Sequence, residues 1–88
     1  EAGARARKLK EMEQRIVKEN QTQIFIETPY RNNSLLAEMV KSLPANLKLC
    51  IATDITGERE QIITRGVKEW GKHPIDLNKV PTIFLLYK

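Results

Sequence analysis

A carboxylate, a hydroxyl, an aromatic ring and a guanidinium follow one another directly after a short apolar run. The run 23–26 is followed by Glu27, Thr28, Pro29, Tyr30 and Arg31. In an open α/β sheet, ligands bind in the crevice beyond the carboxyl ends of the strands. A guanidinium there can bind a phosphate through two parallel hydrogen bonds, and a tyrosine ring can stack on a base. The segment is therefore a candidate binding site in which Tyr30 and Arg31 contact a substrate.

The periodicity of apolar residues predicts the elements that position this segment. An apolar stripe predicts a helix over residues 3–20; its members are Leu9, Met12, Ile16 and Val17. Strands are predicted over 23–27, 47–53, 61–65 and 80–87, with the second buried on both faces. A second helix begins at Thr28-Pro29 and ends before Pro44, and a third covers 67–70 and ends at Gly71. Residues 54–60 and 72–79 are predicted loops.

This order of elements, αβαββαβ, predicts an α/β (α+β) fold. Short and crossover connections both occur, so we expect a mixed parallel and antiparallel sheet of about four strands with packed helices. At 88 residues the chain is expected to be one domain. No stretch approaches the ~20 apolar residues of a membrane span. With no secretory signal and a single cysteine, Cys50, we expect no membrane partner, no zinc cluster and a cytoplasmic location.

Five short segments, taken in order, resemble the C-terminal domain of the tetrapyrrole methylase superfamily of S-adenosylmethionine-dependent methyltransferases. The branch that the chain resembles most methylates a ribose 2′-hydroxyl of small-subunit ribosomal RNA. The segments are the Ala-rich basic helix from Gly3; Glu27-Thr28-Pro29-Tyr30-Arg31, similar to the family's Glu-Ser/Thr-Pro-His/Tyr-Arg; Ile51 to Thr56 with Glu58 and Glu60, similar to Ala-Arg-Glu-Leu-Thr followed by Glu; Gln61 to Gly66, similar to Arg-Gly-Thr-Leu; and the closing strand Pro81-Thr82-Ile83-Phe84-Leu85.

The resemblance implies a role for each of these segments. It places S-adenosylmethionine against two-residue steps at three strand ends, namely Glu27 and Thr28, Ala52 and Thr53, and Pro81 and Thr82. It implies that the substrate contacted by Tyr30 and Arg31 is ribosomal RNA, and it implies a homodimer. The family's glycine-rich cofactor loops lie in an N-terminal methylase domain that nothing here resembles. We therefore expect residues 1–88 to be the C-terminal half of a larger enzyme and to be inactive alone.

Each assignment has a plainer alternative. Glu27 could instead stabilise the start of the helix that follows it. Arg31 could pair with an acid on the surface, and the small residues at the other strand ends could serve packing. The acidic loop with Asp54, Glu58 and Glu60 lacks the spacing of a calcium-binding loop, so we expect a solvated turn and no metal site.

The sequence contains no nucleophile–base dyad, zinc ligand set or phosphate loop, so no catalytic residue is assigned. Methyl transfer is compatible with this, because the reactive methyl group arrives with the cofactor and the protein chiefly aligns donor and acceptor. The net charge of +4 and the Tyr30-Arg31 pair suggest, as an alternative, a small nucleic-acid-binding module, although only 6% of residues are aromatic. A second alternative is a dimerisation module that uses the last strand and Trp70.

Overall fold

The computed structural model describes residues 2–73 and 75–88 and contains the elements in the predicted order. Pro74, in the predicted loop 72–79, lies outside the described residues. The helices are α1 (Ala2–Glu19), α2 (Asn32–Ser42) and α3 (Val67–Lys72), and a single 3-10 turn, Pro29–Arg31, precedes α2. The strands are β1 (Gln23–Phe25), β2 (Lys48–Thr53), β3 (Gln61–Gly66) and β4 (Thr82–Tyr87).

The four strands form one sheet in the order β1-β4-β2-β3, and every neighbouring pair in the described residues is antiparallel. The fold is therefore α+β, and the predicted mixed sheet is wrong. The crossovers through α2 and α3 do join strands that run in the same direction. Each crossover, however, skips one strand, because β4 inserts between β1 and β2, and β2 lies between β3 and β4. Two split β-α-β units are interleaved, and no parallel pair forms.

The core lies on one face of this sheet. Alternate residues of β2 and β4 face the helices and are buried, namely Leu49, Ile51, Phe84 and Leu86. The rings of Phe25 and Phe84 stack on this face with centroids 5.6 Å apart. On the opposite face, Cys50 and Leu85 are only half-buried, whereas Ala52 is buried. The prediction that β2 is buried on both faces is thus wrong at Lys48 and Cys50.

The apolar stripes of α1 and α2 are largely confirmed. On α1, Leu9 and Ile16 are buried, whereas Val17 is 49% exposed. The difference arises because consecutive helix residues are about 100° apart, which turns Val17 away from the sheet. On α2 the predicted face is buried, with Leu35, Leu36, Met39 and Leu43 in the core and Val40 packed against it. No helix in the described part of the chain is long and apolar enough to cross a membrane.

Trp70 is a core residue of α3, only 1% exposed. Its Nε1–H donates a hydrogen bond of 2.8 Å to the Leu49 carbonyl, and the Arg65 guanidinium lies 4.6 Å from the ring centroid. The predicted role of Trp70 in a dimer interface is therefore wrong. The helix also continues through Gly71, where an added Cβ would lie 2.9 Å from Val40 Cγ1. Gly71 thus permits close packing of α3 on α2 rather than ending the helix.

Replacing Trp70 by phenylalanine should lower the free energy of unfolding by about 2–4 kcal/mol, because it leaves a cavity and removes the donor to a buried carbonyl. Tyr30→Phe is the control, since that ring is 76% exposed and its change should have little effect. Urea unfolding of the three proteins measures the difference. If both variants lost the same free energy of unfolding, the buried indole would stabilise the fold no more than an exposed tyrosine hydroxyl does.

Candidate functional site

Three segments that are far apart in sequence meet at one edge of the sheet. Strands β1 and β2 end there, and β3 and β4 begin there; we call it the site edge. Thr53 at the end of β2 lies opposite Thr82 at the start of β4 and opposite Gln61 at the start of β3. The Asp54 N–H donates to the Pro81 carbonyl (3.0 Å), and the Lys79 N–H donates to the Pro29 carbonyl (3.2 Å). All predicted cofactor residues therefore lie at or next to this edge.

Both oxygens of the Glu27 carboxylate contact groups of the protein itself. Oε1 accepts the N–H of Thr28 at 2.9 Å, and Oε2 lies 3.4 Å from Nη2 of Arg5 in an ion pair. Arg5 also donates through Nη1 to Ser34 Oγ at 2.9 Å, so it joins α1 to β1 and α2. This geometry favours the plainer alternative for the Glu27 side chain, which secures α1 against the start of the second helical segment.

Thr28 precedes the 3-10 turn with extended backbone angles, but its hydroxyl makes no capping hydrogen bond. Its carbonyl accepts the Arg31 N–H at 2.8 Å. The N–H and the carbonyl of Thr28 are therefore both used internally, and the exposed hydroxyl is the polar group left for a ligand. Tyr30 is exposed beside it. The Arg31 side chain forms no ion pair with any described residue. The alternative that Arg31 pairs with an acid on the surface is therefore not observed.

Thr82 is 4% exposed, and its hydroxyl is already in use. Oγ1 donates to the Val80 carbonyl at 2.8 Å and accepts from Nδ2 of Asn32 at 3.1 Å. Thr53 and Ala52 are each 5% exposed, and the Thr53 hydroxyl lies 3.5 Å from the carbonyl of Gln61. Only Pro81 of these four is exposed. Ligand contacts at these strand ends would thus involve backbone and the Pro81 ring rather than hydroxyls.

Asn32, the first residue of α2, holds the entrance to β4 in place. Its side chain is completely buried, and Nδ2 lies 2.7 Å from the Val80 carbonyl and 3.3 Å from the Leu77 carbonyl. Its Oδ1 has no partner among the described residues. Asn32 is not among the site residues predicted from the sequence. The available signal was that Asn32 shares the helical stripe of Leu35, Leu36 and Met39, at spacings of three, four and seven residues.

Asn33 holds the same loop from outside. Its Oδ1 accepts the Leu77 N–H at 2.7 Å, and its Nδ2 donates to Asp76 Oδ1 at 2.9 Å. Asp76 also accepts the N–H of Asn78 at 3.0 Å. The hydrogen bond from Asn33, followed by that from Asn78, lowers the pKa of the Asp76 carboxyl below its ordinary value. Two consecutive asparagines therefore fasten residues 76–82 to the start of α2.

Three depressions lie along the site edge. The first, the acidic cleft, has a volume of about 690 Å³ and is lined by Thr53, Asp54, Glu58, Arg59, Glu60, Gln61, Ile75, Asp76, Leu77, Lys79, Val80 and Pro81. The second, the apolar hollow, has about 260 Å³ and is lined by Ile26, Glu27, Pro29, Ile55, Pro81, Thr82 and Ile83. The third, the basic groove, has about 360 Å³ and is lined by Ala4, Arg5, Lys8, Leu9, Met12, Phe25, Ile26, Glu27, Arg31 and Leu35.

These depressions are contiguous and differ in charge. Pro81 lines both the cleft and the hollow, while Ile26 and Glu27 line both the hollow and the groove. The cleft carries four acidic and two basic side chains. The groove has an apolar floor and three cations at its rim, of which only Arg5 is paired with Glu27. An elongated ligand with an anionic end and an apolar or aromatic part matches the groove, and a neutral or cationic group matches the cleft.

The acidic loop between β2 and β3 closes on itself. The Asp54 carboxylate accepts the Arg59 N–H at 3.1 Å, and the Glu60 carboxylate accepts the Thr56 N–H at 2.8 Å. A side chain at Gly57 would collide with the Asp54 carboxylate and would force that carboxylate to move. No grouping of carboxylate, thiol and imidazole side chains in residues 2–73 and 75–88 has the geometry of a metal site. Within the loop, the Asp54 and Glu60 carboxylates each hold a backbone N–H of the turn.

No protein-family model matches this chain, and no curated protein is significantly similar to it.

Exchanging Asn32 for aspartate should destabilise the protein in a pH-dependent way. An ionised carboxylate cannot donate to the Val80 and Leu77 carbonyls, so burial among these oxygens raises the pKa of the new carboxyl. When the pKa of a group is higher in the folded than in the unfolded state, the folded protein becomes less stable as the pH rises. We expect a modest loss near pH 4, where the carboxyl is largely protonated, and a loss of about 3–5 kcal/mol near pH 7.

Asn46→Asp is the matched control, because Asn46 is exposed in the turn before β2. Urea unfolding at both pH values, with the wild-type profile subtracted, separates the buried site from general charge effects. The same pH profile in both variants would contradict the assignment of Asn32 as a buried donor.

Proposed function

We propose that this chain is the C-terminal domain of an S-adenosylmethionine-dependent methyltransferase of the tetrapyrrole methylase type, acting on a ribose 2′-hydroxyl of ribosomal RNA. In this role the site edge forms one side of a cleft whose other side is an N-terminal methylase domain. The chain supplies position and charge, and the transferred methyl group comes from the cofactor.

One observation carries the proposal. The three segments to which the family resemblance assigns cofactor contacts are 25 to 30 residues apart in sequence, yet all reach the same sheet edge through Thr53 opposite Thr82 and the link from Lys79 to Pro29. If the resemblance of these three short segments were due to chance, there would be no reason to expect them at the same edge of the sheet.

The shape of the edge supports a shared site rather than an independent one. The hollow next to Pro81 and Thr82 is small and open, and its floor is formed by aliphatic side chains such as Ile26 and Ile83. A tight small-molecule site encloses most of its ligand. One apolar surface of this size can cover one side of an adenosine, and a second surface has to cover the other.

The basic groove supports the choice of RNA as substrate. Arg31 and Lys8 lie at its rim without an acidic partner in the described residues, above the floor formed by Leu9, Met12 and Phe25. Unpaired guanidinium and ammonium groups attract phosphates, and Tyr30, which is 76% exposed nearby in sequence, offers a ring for stacking. The same groove also fits the alternative of a nucleic-acid-binding module without catalysis.

Calorimetry with S-adenosylmethionine tests the division of the site between two domains. The isolated chain should bind more weakly than about 1 mM, because one open surface cannot offset the loss of ligand freedom. The same chain joined to the methylase domain of its reading frame should bind measurably. Tight binding by residues 1–88 alone would contradict the proposed two-sided cleft.

Arg31→Ala in the two-domain protein tests the substrate role. Loss of a charged hydrogen bond to phosphate should lower the rate of methyl transfer to RNA by about tenfold to a hundredfold, equivalent to about 1.5–3 kcal/mol, while cofactor affinity is unchanged. Arg7→Ala is the control, since Arg7 is an exposed arginine of α1 that does not line the groove. Unchanged transfer with weakened cofactor binding would move Arg31 to the cofactor site.

A further inference from the structure

Glu27 is the one acidic side chain among the described residues that line the basic groove. The three cations of the groove come from two elements: Arg5 and Lys8 are neighbours on one face of α1, and Arg31 lies in the turn before α2. Lys8 and Arg31 have no acidic partner among residues 2–73 and 75–88, whereas Arg5 forms an ion pair with Glu27. The groove therefore contains an anion of its own at a place where three cations would otherwise attract one from outside.

The ion pair between Arg5 and Glu27 has the properties of a contact that can open. Nη2 of Arg5 and Oε2 of Glu27 are 3.4 Å apart, longer than the ~2.7–2.9 Å of a strong charged hydrogen bond, and the two side chains are 23% and 25% exposed. A partly exposed ion pair adds little to stability, so opening it costs little. Arg5 is also held through Nη1, which donates to Ser34 Oγ at 2.9 Å, and this bond keeps the guanidinium at the groove when Glu27 leaves.

The carboxylate of Glu27 makes the same kinds of contact that a bound phosphate makes. Its Oε2 lies against a guanidinium, and its Oε1 accepts the backbone N–H of Thr28 at 2.9 Å. Guanidinium and backbone N–H groups are common donors to phosphate oxygens in complexes with nucleic acids. Displacement of Glu27 would therefore release two donors that already point at one anion.

We propose that Glu27 is an internal competitor for the phosphates of the ligand that binds in the basic groove. In the free protein, Glu27 holds Arg5; when a polyanion binds, one of its phosphates takes over Arg5 and the carboxylate turns out into solvent. A small anion that reaches only Arg5 replaces one ion pair by another, whereas a polyanion gains Lys8 and Arg31 as well. The inference rests on the RNA-binding part of the proposed function and does not require methyl transfer.

Fluorescence anisotropy with a labelled single-stranded oligouridylate tests this competition on the 88-residue chain. Glu27→Gln keeps an oxygen for the Thr28 N–H and removes the charge. It should bind the probe at least about threefold more tightly than the wild type at low salt, with a smaller gain at high salt. Glu19→Gln is the matched control, because it removes the same charge from an exposed position at the end of α1 outside the groove. It should change the affinity by less than about twofold.

Arg5→Ala, made both in the wild type and in Glu27→Gln, separates an exchange of partners from simple repulsion. If Glu27 withholds Arg5 from the ligand, Arg5→Ala should weaken binding by at most about twofold in the wild type and by at least about fivefold in Glu27→Gln. Urea unfolding of each variant distinguishes these effects from a loss of the fold. Equal losses of affinity in both backgrounds would overturn the exchange, since Glu27 would then act only through its charge.

The same measurements distinguish a failure of this inference from a failure of the proposed substrate. If Glu27→Gln is folded and binds the probe no more tightly than the wild type, Glu27 only secures α1; the inference is then overturned, and the RNA-binding role of the groove stands. If neither protein binds the probe, the groove is not a phosphate site, and both the inference and the choice of RNA as substrate fail.

Discussion

The buried amide of Asn32 is the interaction on which the site edge depends. The entrance to β4 crosses the end of the core, where the Leu77 carbonyl also accepts the Val80 N–H and the Val80 carbonyl also accepts the Thr82 hydroxyl. The Asn32 side-chain amide approaches both carbonyls and the hydroxyl of Thr82 as well. A lost hydrogen bond inside a protein costs about 1–3 kcal/mol, so these shared contacts of one buried side chain help to fix the loop in one conformation.

The sheet topology explains why the fastening is needed. Because β4 inserts between β1 and β2, the last segment of the chain completes the centre of the sheet. The pairs Phe25 with Phe84 and Thr53 with Thr82 join residues that are distant in sequence. Contacts of this kind have a high cost in chain entropy. Until β4 is in place, the three strand ends have nothing to hold them at one edge, so the site and the centre of the sheet must form together.

How far the sequence predicted this structure depends on which signals are local. Helical periodicity identified α1 and the buried face of α2, since Leu35, Leu36 and Met39 repeat at the spacing of one helix face. The sheet was predicted incorrectly because a crossover connection fixes the relative direction of two strands but not which strand lies between them. Gly71 was read as a helix end, although its small size serves the contact with Val40. Asn32 was not predicted because helical periodicity is scored on apolar residues, and a polar residue on the apolar face of α2 does not contribute to that score.

The distribution of charge along the site edge decides how the proposed two-part site would be used. Glu27 neutralises Arg5 at the boundary between the hollow and the groove, which leaves Arg31 and Lys8 as the cations available to a ligand. On the other side of Pro81, the acidic cleft repels phosphates. Under the proposed function, a polyanion would be directed to the groove, and a cofactor that carries a positively charged sulfonium would be tolerated towards the cleft. Under the proposed function, this separation would bring donor and acceptor together at the hollow from opposite sides, with neither competing for the other's subsite.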